Sequence, residues 1–359
     1  MVCKPMLSQW ETRKQNVNHP PAQAGLEYSE INGIAGLIKY IKDGIEMKNL
    51  IKAIACVTAI ALLLCTTAFA VEFTDMPQGA AGEVIMKAVE NGLLTGFEDQ
   101  TVRPDAEITR AQMAAIMVRA LGAEKTADIS AFSDMSEDKW YYKDMAKAVF
   151  MEAFKGDGEK LNPENSITRQ EAFIVLSRIF YLPEAEVSVL DSFSDGGNVS
   201  DWAKQEVSKI AAGGYVDAGE LRPLDKMTRL EFATVMDKLV SVYITEKTEF
   251  TKENLPAGNI LIKTDGVSFK DVDVTQNVFI GDGVTGTTTF KNCNTKRVII
   301  RGGKCEVDGG KHHHMNALGD NTVLSLANKP VADEDGIKSF FATPGKGIIN
   351  ISLGAVNVQ

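Results

Sequence analysis

The feature that most constrains this 359-residue chain is a unit that recurs three times at a step of about 60 residues. Each copy opens on Phe-Ser/Thr-Asp, at Phe73-Thr74-Asp75, Phe132-Ser133-Asp134 and Phe193-Ser194-Asp195. Each ends in Thr-Arg-x-Glu/Gln, at Thr109-Arg110-Ala111-Gln112, Thr168-Arg169-Gln170-Glu171 and Thr228-Arg229-Leu230-Glu231. A fixed period of this length means an array of one supersecondary unit, whose core is completed by its neighbours.

Within a copy the pattern reads helix, loop, helix. In the first, residues 83–91 carry Val84, Met86, Ala88 and Val89 at mixed helical spacing, with Gly92 and Gly96 as C-terminal stops. A loop over 97–107 contains Arg103-Pro104-Asp105. The second helix starts at Thr109, and Met113, Ile116, Met117, Ala120 and Leu121 then form a buried stripe. Thr109 with Gln112, Thr168 with Glu171 and Thr228 with Glu231 each fit a capping box. A cap needs no Arg, and a cation at a helix start is mildly unfavourable. Arg110, Arg169 and Arg229 therefore ask for another cause. One is an anionic ligand that meets the guanidinium and the helix-start field together. The other is an internal salt bridge to each repeat's own Asp75, Asp134 or Asp195.

Phe-x-Asp, a Trp-containing first helix, a Gly-rich turn, x-Arg-Pro and Ile-Thr-Arg-x-Glu together resemble the surface-layer homology (SLH) domain of bacterial cell-envelope proteins. The resemblance covers repeats at 73–124, 132–182 and 193–243. It implies an all-α, pseudo-threefold helical bundle whose inter-repeat grooves bind secondary cell wall polysaccharide, often through a pyruvylated sugar. It further implies Arg110, Arg169 and Arg229 as polysaccharide-binding residues. Asp75, Asp134, Asp195, Trp140, Trp202, Arg103 and Arg222 are supporting candidates. Trp140 is expected in the core of its own repeat, and Trp202 is left open. Copy one has Pro77–Ala81 in place of a Trp, and copy two has Leu161-Asn162-Pro163 where the others have Arg-Pro. The grooves are thus expected to differ, with Arg169 the least important for binding because copy two lacks that basic group.

Upstream, residues 47–70 show a basic start, an apolar stretch and Ala68-x-Ala70, the three parts of a secretory signal. The expected mature protein begins near Val71 and is exported, with membrane contact only through that segment. Residues 1–46 read as a spurious or disordered extension; Lys42-Asp43-Gly44 can encode a purine-rich stretch just ahead of Met47. The alternative is a genuine extension, with residues 50–70 as a signal anchor. The net charge of −10 and the lack of a basic run argue against a nucleic-acid surface. Of five cysteines only Cys293 and Cys305 would survive cleavage, which rules out a disulfide scaffold but leaves one pairing open.

After a charged linker at 246–254 the grammar changes to β-branched triplets and Gly/Asn/Asp turns. Ile260-Leu261-Ile262, Val278-Phe279-Ile280 and Val298-Ile299-Ile300 recur about 20 residues apart. Residues 267–273 resemble 288–294, which aligns Cys293 with Val272 as an inward-facing hydrophobe. A short right-handed parallel β-helix over 255–359 is expected, making the chain multidomain. The segment also resembles β-helix modules beside SLH repeats in clostridial-type surface proteins. His312-His313-His314 reads as an exposed turn, not a metal site, because neighbouring strand residues face opposite ways. No cofactor is expected. A polysaccharide-lyase reading lacks clustered carboxylates with a basic partner, and fold analogy alone carries no activity. The expectation is a non-catalytic exported protein, held to an anionic secondary wall polymer and able to self-associate in a surface layer. The alternative is an anchored surface enzyme acting on polysaccharide through the β-helix.

Overall fold

The computed structural model describes residues 73–319 and 322–326, and the backbone of two further strands at Ser339–Ala342 and Ile348–Ile351. The extension at 1–46, the signal at 47–70 and the cleavage point near Val71 lie outside the described residues. Each repeat supplies two helices. They are α1 (Ala80–Glu90) and α2 (Arg110–Leu121), α3 (Tyr142–Phe150) and α4 (Arg169–Ile179), and α5 (Lys204–Ala212) and α6 (Arg229–Leu239). Thr109, Thr168 and Thr228 are N-caps, and all three capping boxes are complete. Trp140 and Trp202 sit just before α3 and α5 rather than within them. Among the described residues, no helix is long and apolar enough to cross a membrane.

The second helices form the centre. In α2 the expected stripe is buried, and so are Ala114, Ala115 and Val118, because the helix is covered on nearly every side. The first helices pack across repeat boundaries. α3 lies on α2, α5 on α4, and α1 returns to α6, so the third repeat closes on the first. At the axis, backbone bonds run Ile108 N–H to Met227 O, Met227 N–H to Ile167 O and Ile167 N–H to Ile108 O, each 2.9 Å. This closed triangle is the basis of the pseudo-threefold bundle.

α6 runs almost directly into a parallel β-solenoid of about five turns. One sheet holds β1 (Val242–Ile244), β3 (Ile260–Ile262), β5 (Asp273–Ile280), β7 (Asn294–Ile300), β9 (His312–Ala317) and β11 (Ser339–Ala342). The other holds β2 (Glu249–Phe250), β4 (Ser268–Lys270), β6 (Thr287–Lys291), β8 (Lys304–Asp308), β10 (Val323–Leu326) and β12 (Ile348–Ile351). The expected linker at 246–254 is therefore part of the first coil, and β1 begins inside the span assigned to the repeats. The apolar triplets pair as expected, Ile260 with Val278 and Val278 with Val298. Phe269 and Phe290 stack inside at 4.7 Å.

The two sheets differ on their outer faces. β4, β6 and β8 alternate buried and accessible residues, which fits one solvated face. In the triplets every residue is buried. Ile260 and Ile262 face the solenoid core, while Leu261, Phe279 and Ile299 are buried outside that core cluster. Phe279 meets Phe180 of the bundle edge to face at 4.9 Å. Triplets are apolar throughout because the sheet is covered on both sides.

The same contact closes the ends of the central helices. Gly283 N–H donates to Leu121 O (2.9 Å) at the end of α2, and Asn259 Nδ2 donates to Leu239 O (3.0 Å) at the end of α6. At the end of α4, Arg301 reaches Ile179 O (3.3 Å) and Arg297 reaches Phe180 O (3.0 Å). These are the carbonyls a helix leaves unsatisfied, at the negative end of its dipole. A Cβ at Gly283 would come within 2.5 Å of Gly122 O, so only glycine permits this approach.

Cys293 and Cys305 are free, buried thiols, and the open pairing is not formed. Burial pushes both thiol pKa values up. The His run lies in strand β9, which corrects the exposed turn. His312 is buried, with Nε2 against Gly309 O (3.0 Å) and Nδ1 against Thr295 Oγ1 (2.8 Å). Because Gly309 O can only accept, Nε2 carries the proton and Nδ1 accepts from Thr295.

Candidate functional site

The junctions between repeats are built from the helix starts. At α2, Thr109 N–H donates to Gln112 Oε1 (3.0 Å) and Gln112 N–H to Thr109 Oγ1 (3.2 Å). Arg110 N–H and Ala111 N–H donate to Asn165 O (3.0 Å) and Pro163 O (2.8 Å) of the next repeat. α4 makes the same bonds to Asp225 O and Pro223 O, and α6 to Ala106 O and Pro104 O. All the donors that a helix start leaves free are therefore used. Of the two causes left open by the sequence, an anion bound by the helix-start amides is closed off, because those amides already bind carbonyls and the capping side chains.

The three guanidinium groups follow one rule. Each Arg reaches the loop of the following repeat, and Arg110 and Arg169 also reach its capping glutamate. Arg110 Nε donates to Leu161 O (2.8 Å) and its NH1 pairs with Glu171 (3.1 Å). Arg169 Nε donates to Leu221 O (2.7 Å) and its NH1 pairs with Glu231 (3.0 Å). Arg229 donates to Val102 O (2.7 Å) and Thr95 O (2.7 Å) of the first repeat, whose capping residue is Gln112 in place of a glutamate. Arg169 and Arg229 are buried, at 7% and 8% exposure. Burial lowers the Arg169 pKa from its usual value, and Glu231 opposes that shift.

For Arg110 and Arg169 the charged partner is thus the next repeat's glutamate, not the repeat's own aspartate. Asp75, Asp134 and Asp195 do other work. Each carboxylate accepts two consecutive backbone amides, Val102 and Arg103, Leu161 and Asn162, or Leu221 and Arg222. In each pair the second residue has positive φ, 49°, 52° and 47° in turn. The aspartate clamp holds that strained residue and so presents the carbonyl that the Arg takes.

Register between repeats also reassigns the odd loop. Asn162 stands across from Arg110, whereas Arg169 faces the repeat-three loop bearing Arg222. The ranking expected from sequence placed the missing basic group at the wrong junction. Arg222 pairs with Glu231, which Arg169 already engages, and Arg103 pairs with Asp99 (2.8 Å) over the Phe97 ring.

One junction opens into a groove of about 510 Å³. Arg110 and Glu171 lie in it, Phe154 and Lys155 come from the second repeat's loop, and Trp202 comes from the third repeat. Arg110 sits over the Phe154 ring at 5.1 Å. The groove collects four cations, Arg110, Lys155, Arg178 and Lys226, against Asp157 and Glu171. Trp202 is 65% exposed. Trp140 is half-exposed rather than in the core and packs edge-on against Tyr141 at 5.4 Å, away from this groove. Lys155 and Lys226 were missed in the sequence because neither recurs, and Arg178 because its recurrence as Arg119 and Lys238 reads as an ordinary basic last turn of a helix.

The S-layer homology domain family matches residues 72–114 and 131–173. The third copy, 193–243, repeats their capping box, aspartate clamp and Arg contact. The surface-layer 125 kDa protein of Lysinibacillus sphaericus is 29% identical over 67% of this chain and 20% of its own length. The middle cell wall protein of Brevibacillus brevis is 26% identical over 64% of this chain and 22% of its own. Exoglucanase XynX of Acetivibrio thermocellus is 28% identical over 46% of this chain and 16% of its own. The chain therefore spans only about a fifth of the length of these relatives. With the repeats, their closure and these matches together, this is a cell-surface protein that carries S-layer homology domains followed by a parallel β-solenoid.

Proposed function

We propose that the chain is a non-catalytic anchor that holds an anionic, pyruvylated secondary cell wall polysaccharide in the groove between Arg110, Lys155 and Trp202. The observation that carries this reading is the groove itself, where two excess positive charges surround an exposed tryptophan. An aromatic face covers the apolar side of a sugar ring, and Arg and Lys meet a ketal carboxylate. The buried Arg169 and Arg229 act in this account as structural ties. The similarity to the exoglucanase spans 16% of that enzyme and brings no activity to this chain.

The test is sedimentation of the full chain with purified wall, before and after the secondary polymer is stripped. Binding should be lost on stripping, and Trp202→Ala should weaken it about tenfold without changing the melt. Equal binding to stripped wall overturns the proposal.

A further inference from the structure

Gln170 is a buried polar residue that closure of the ring does not itself require. It is the second residue of α4, directly after Arg169, and is 3% exposed. Its backbone N–H donates to Pro223 O (3.0 Å), as Ala111 N–H does to Pro163 O in α2 and Leu230 N–H to Pro104 O in α6. The same place in the other two repeats therefore holds an apolar side chain. A buried amide is costly unless both of its ends are bonded. Gln170 bonds both ends to one residue: Nε2 donates to Ser200 Oγ (3.0 Å), and Oε1 accepts from Ser200 N–H (3.0 Å).

Ser200 opens the turn that carries Trp202. Its carbonyl accepts from Ala203 N–H (2.8 Å) and Lys204 N–H (3.2 Å), which sets Asp201 and Trp202 at the bend before α5. Ala203 is buried beside them, while Trp202 stands out into the main groove. An indole so exposed has little packing of its own, so its place relative to Arg110 and Lys155 is set by the turn beneath it. The turn bearing Trp140 is held differently. α3 packs on α2, where the matching residue is Ala111 and has no polar end to offer. That turn is tied within itself, through Lys139 N–H to Ser136 O (3.1 Å) and Ser136 Oγ to Asp138. The amide clamp thus belongs to the junction whose tryptophan lines the groove.

We propose that Gln170 is a positioning residue for polymer binding, fixing the turn at Ser200 so that Trp202 stands ready against the sugar held by Arg110 and Lys155. It touches no ligand. It acts by ordering the turn beforehand, so that less freedom is lost when the sugar arrives. This rests on the anchoring function above and assigns how the aromatic wall of its groove is held.

The experiment measures binding of the full chain to purified wall polymer at a temperature where every variant is folded. The variants are Gln170→Leu, Ser200→Ala, Trp202→Ala and the double variant of Gln170→Leu with Trp202→Ala. Leucine stands at the same place in α6, so it fills the site without bonding. Gln170→Leu should weaken binding about fivefold, and Ser200→Ala, which keeps the amide bond, about twofold. In the Trp202→Ala background, Gln170→Leu should change binding by less than about twofold, because its effect passes through the indole. Fluorescence anisotropy gives a second readout, with Trp202 left as the sole tryptophan by Trp10→Phe and Trp140→Phe. It should fall in Gln170→Leu and recover in Gln170→Glu, whose carboxylate accepts from both Ser200 groups. If Gln170→Leu binds like the parent, or weakens the Trp202→Ala chain as much as it weakens the parent, the positioning role is overturned; the groove stands as long as Trp202→Ala is itself weakened. If Trp202→Ala binds like the parent, the anchoring function falls and this role falls with it.

Discussion

Arg169→Ala separates a structural tie from a ligand residue. The side chain is 8% exposed and makes two charge-assisted contacts, to Leu221 O at 2.7 Å and to Glu231 at 3.0 Å. Each such contact contributes about 1.5–3 kcal/mol. Glu231 keeps the Thr228 amide at 3.0 Å and Arg222, so its carboxylate is not left bare. The net loss should be about 3–4 kcal/mol, near the lower end of the range for a broken buried pair. For a chain of this size that lowers the melting temperature by roughly 10 °C. Arg169→Met keeps much of the packing and isolates the polar part. The double variant with Glu231→Gln should lose less than the two single losses added, since both remove the same pair. The assay is a thermal melt of the full chain, with wall binding measured at a temperature where every variant is folded. A variant that melts within about 1 °C of the parent yet no longer binds polymer would refute the closure argument.

Arg297→Met should leave the melting temperature unchanged or raise it, because this buried guanidinium has its pKa pulled down to about 10 by burial and its NH1 finds no hydrogen-bond partner among the described residues. A fall of several degrees in a calorimetric scan would mean that its bond to Phe180 O outweighs the burial cost. Glu231 resists the upward push of burial and is held below its ordinary 4.5 by the Thr228 amide, Arg169 and Arg222. Its stabilisation is therefore complete above that value and disappears as pH falls through the lower folded pKa; Glu231→Gln should flatten this acid limb of melts recorded against pH. A chain ended before Val242 strips the caps from Leu121, Ile179, Phe180 and Leu239, and should melt well below the full chain or aggregate on heating. An unchanged melt would show that the solenoid is a passenger.

What was legible in the sequence was mostly local. A capping box needs only residues three apart, so α2, α4 and α6 could be started at the right threonines. The triplet register was legible because side chains stacked coil on coil repeat in type. The order of ring closure was not, since nothing within one repeat says whether its Arg turns back or forward. The mistake over Asn162 follows from that ambiguity. Double burial of the first sheet did leave a signal. Ser268-Phe269-Lys270 alternates, whereas Val278-Phe279-Ile280 does not, and a solvated sheet would have a polar residue where Phe279 stands. The tryptophans were harder, because Trp is common in cores and its exposure depends on the neighbouring repeat.

Closure of the ring places a limit on where specificity can reside. Thr, Arg and Asp of the signature are occupied in all three copies by caps, carbonyl contacts and clamps, so they hold the junctions at fixed geometry without distinguishing them. Discrimination must come from the positions that vary between copies: Asn162 against Arg103 and Arg222, Gln112 against Glu171 and Glu231, and Trp202 beside a first repeat with no tryptophan. At the Arg110 junction Asn162 adds no second cation to compete for Glu171, and Lys155, Arg178 and Lys226 gather around it instead. At the Arg169 junction Arg222 is spent on Glu231. The invariant part of the repeat thus builds the frame, and the divergent part decides which junction is open to a ligand.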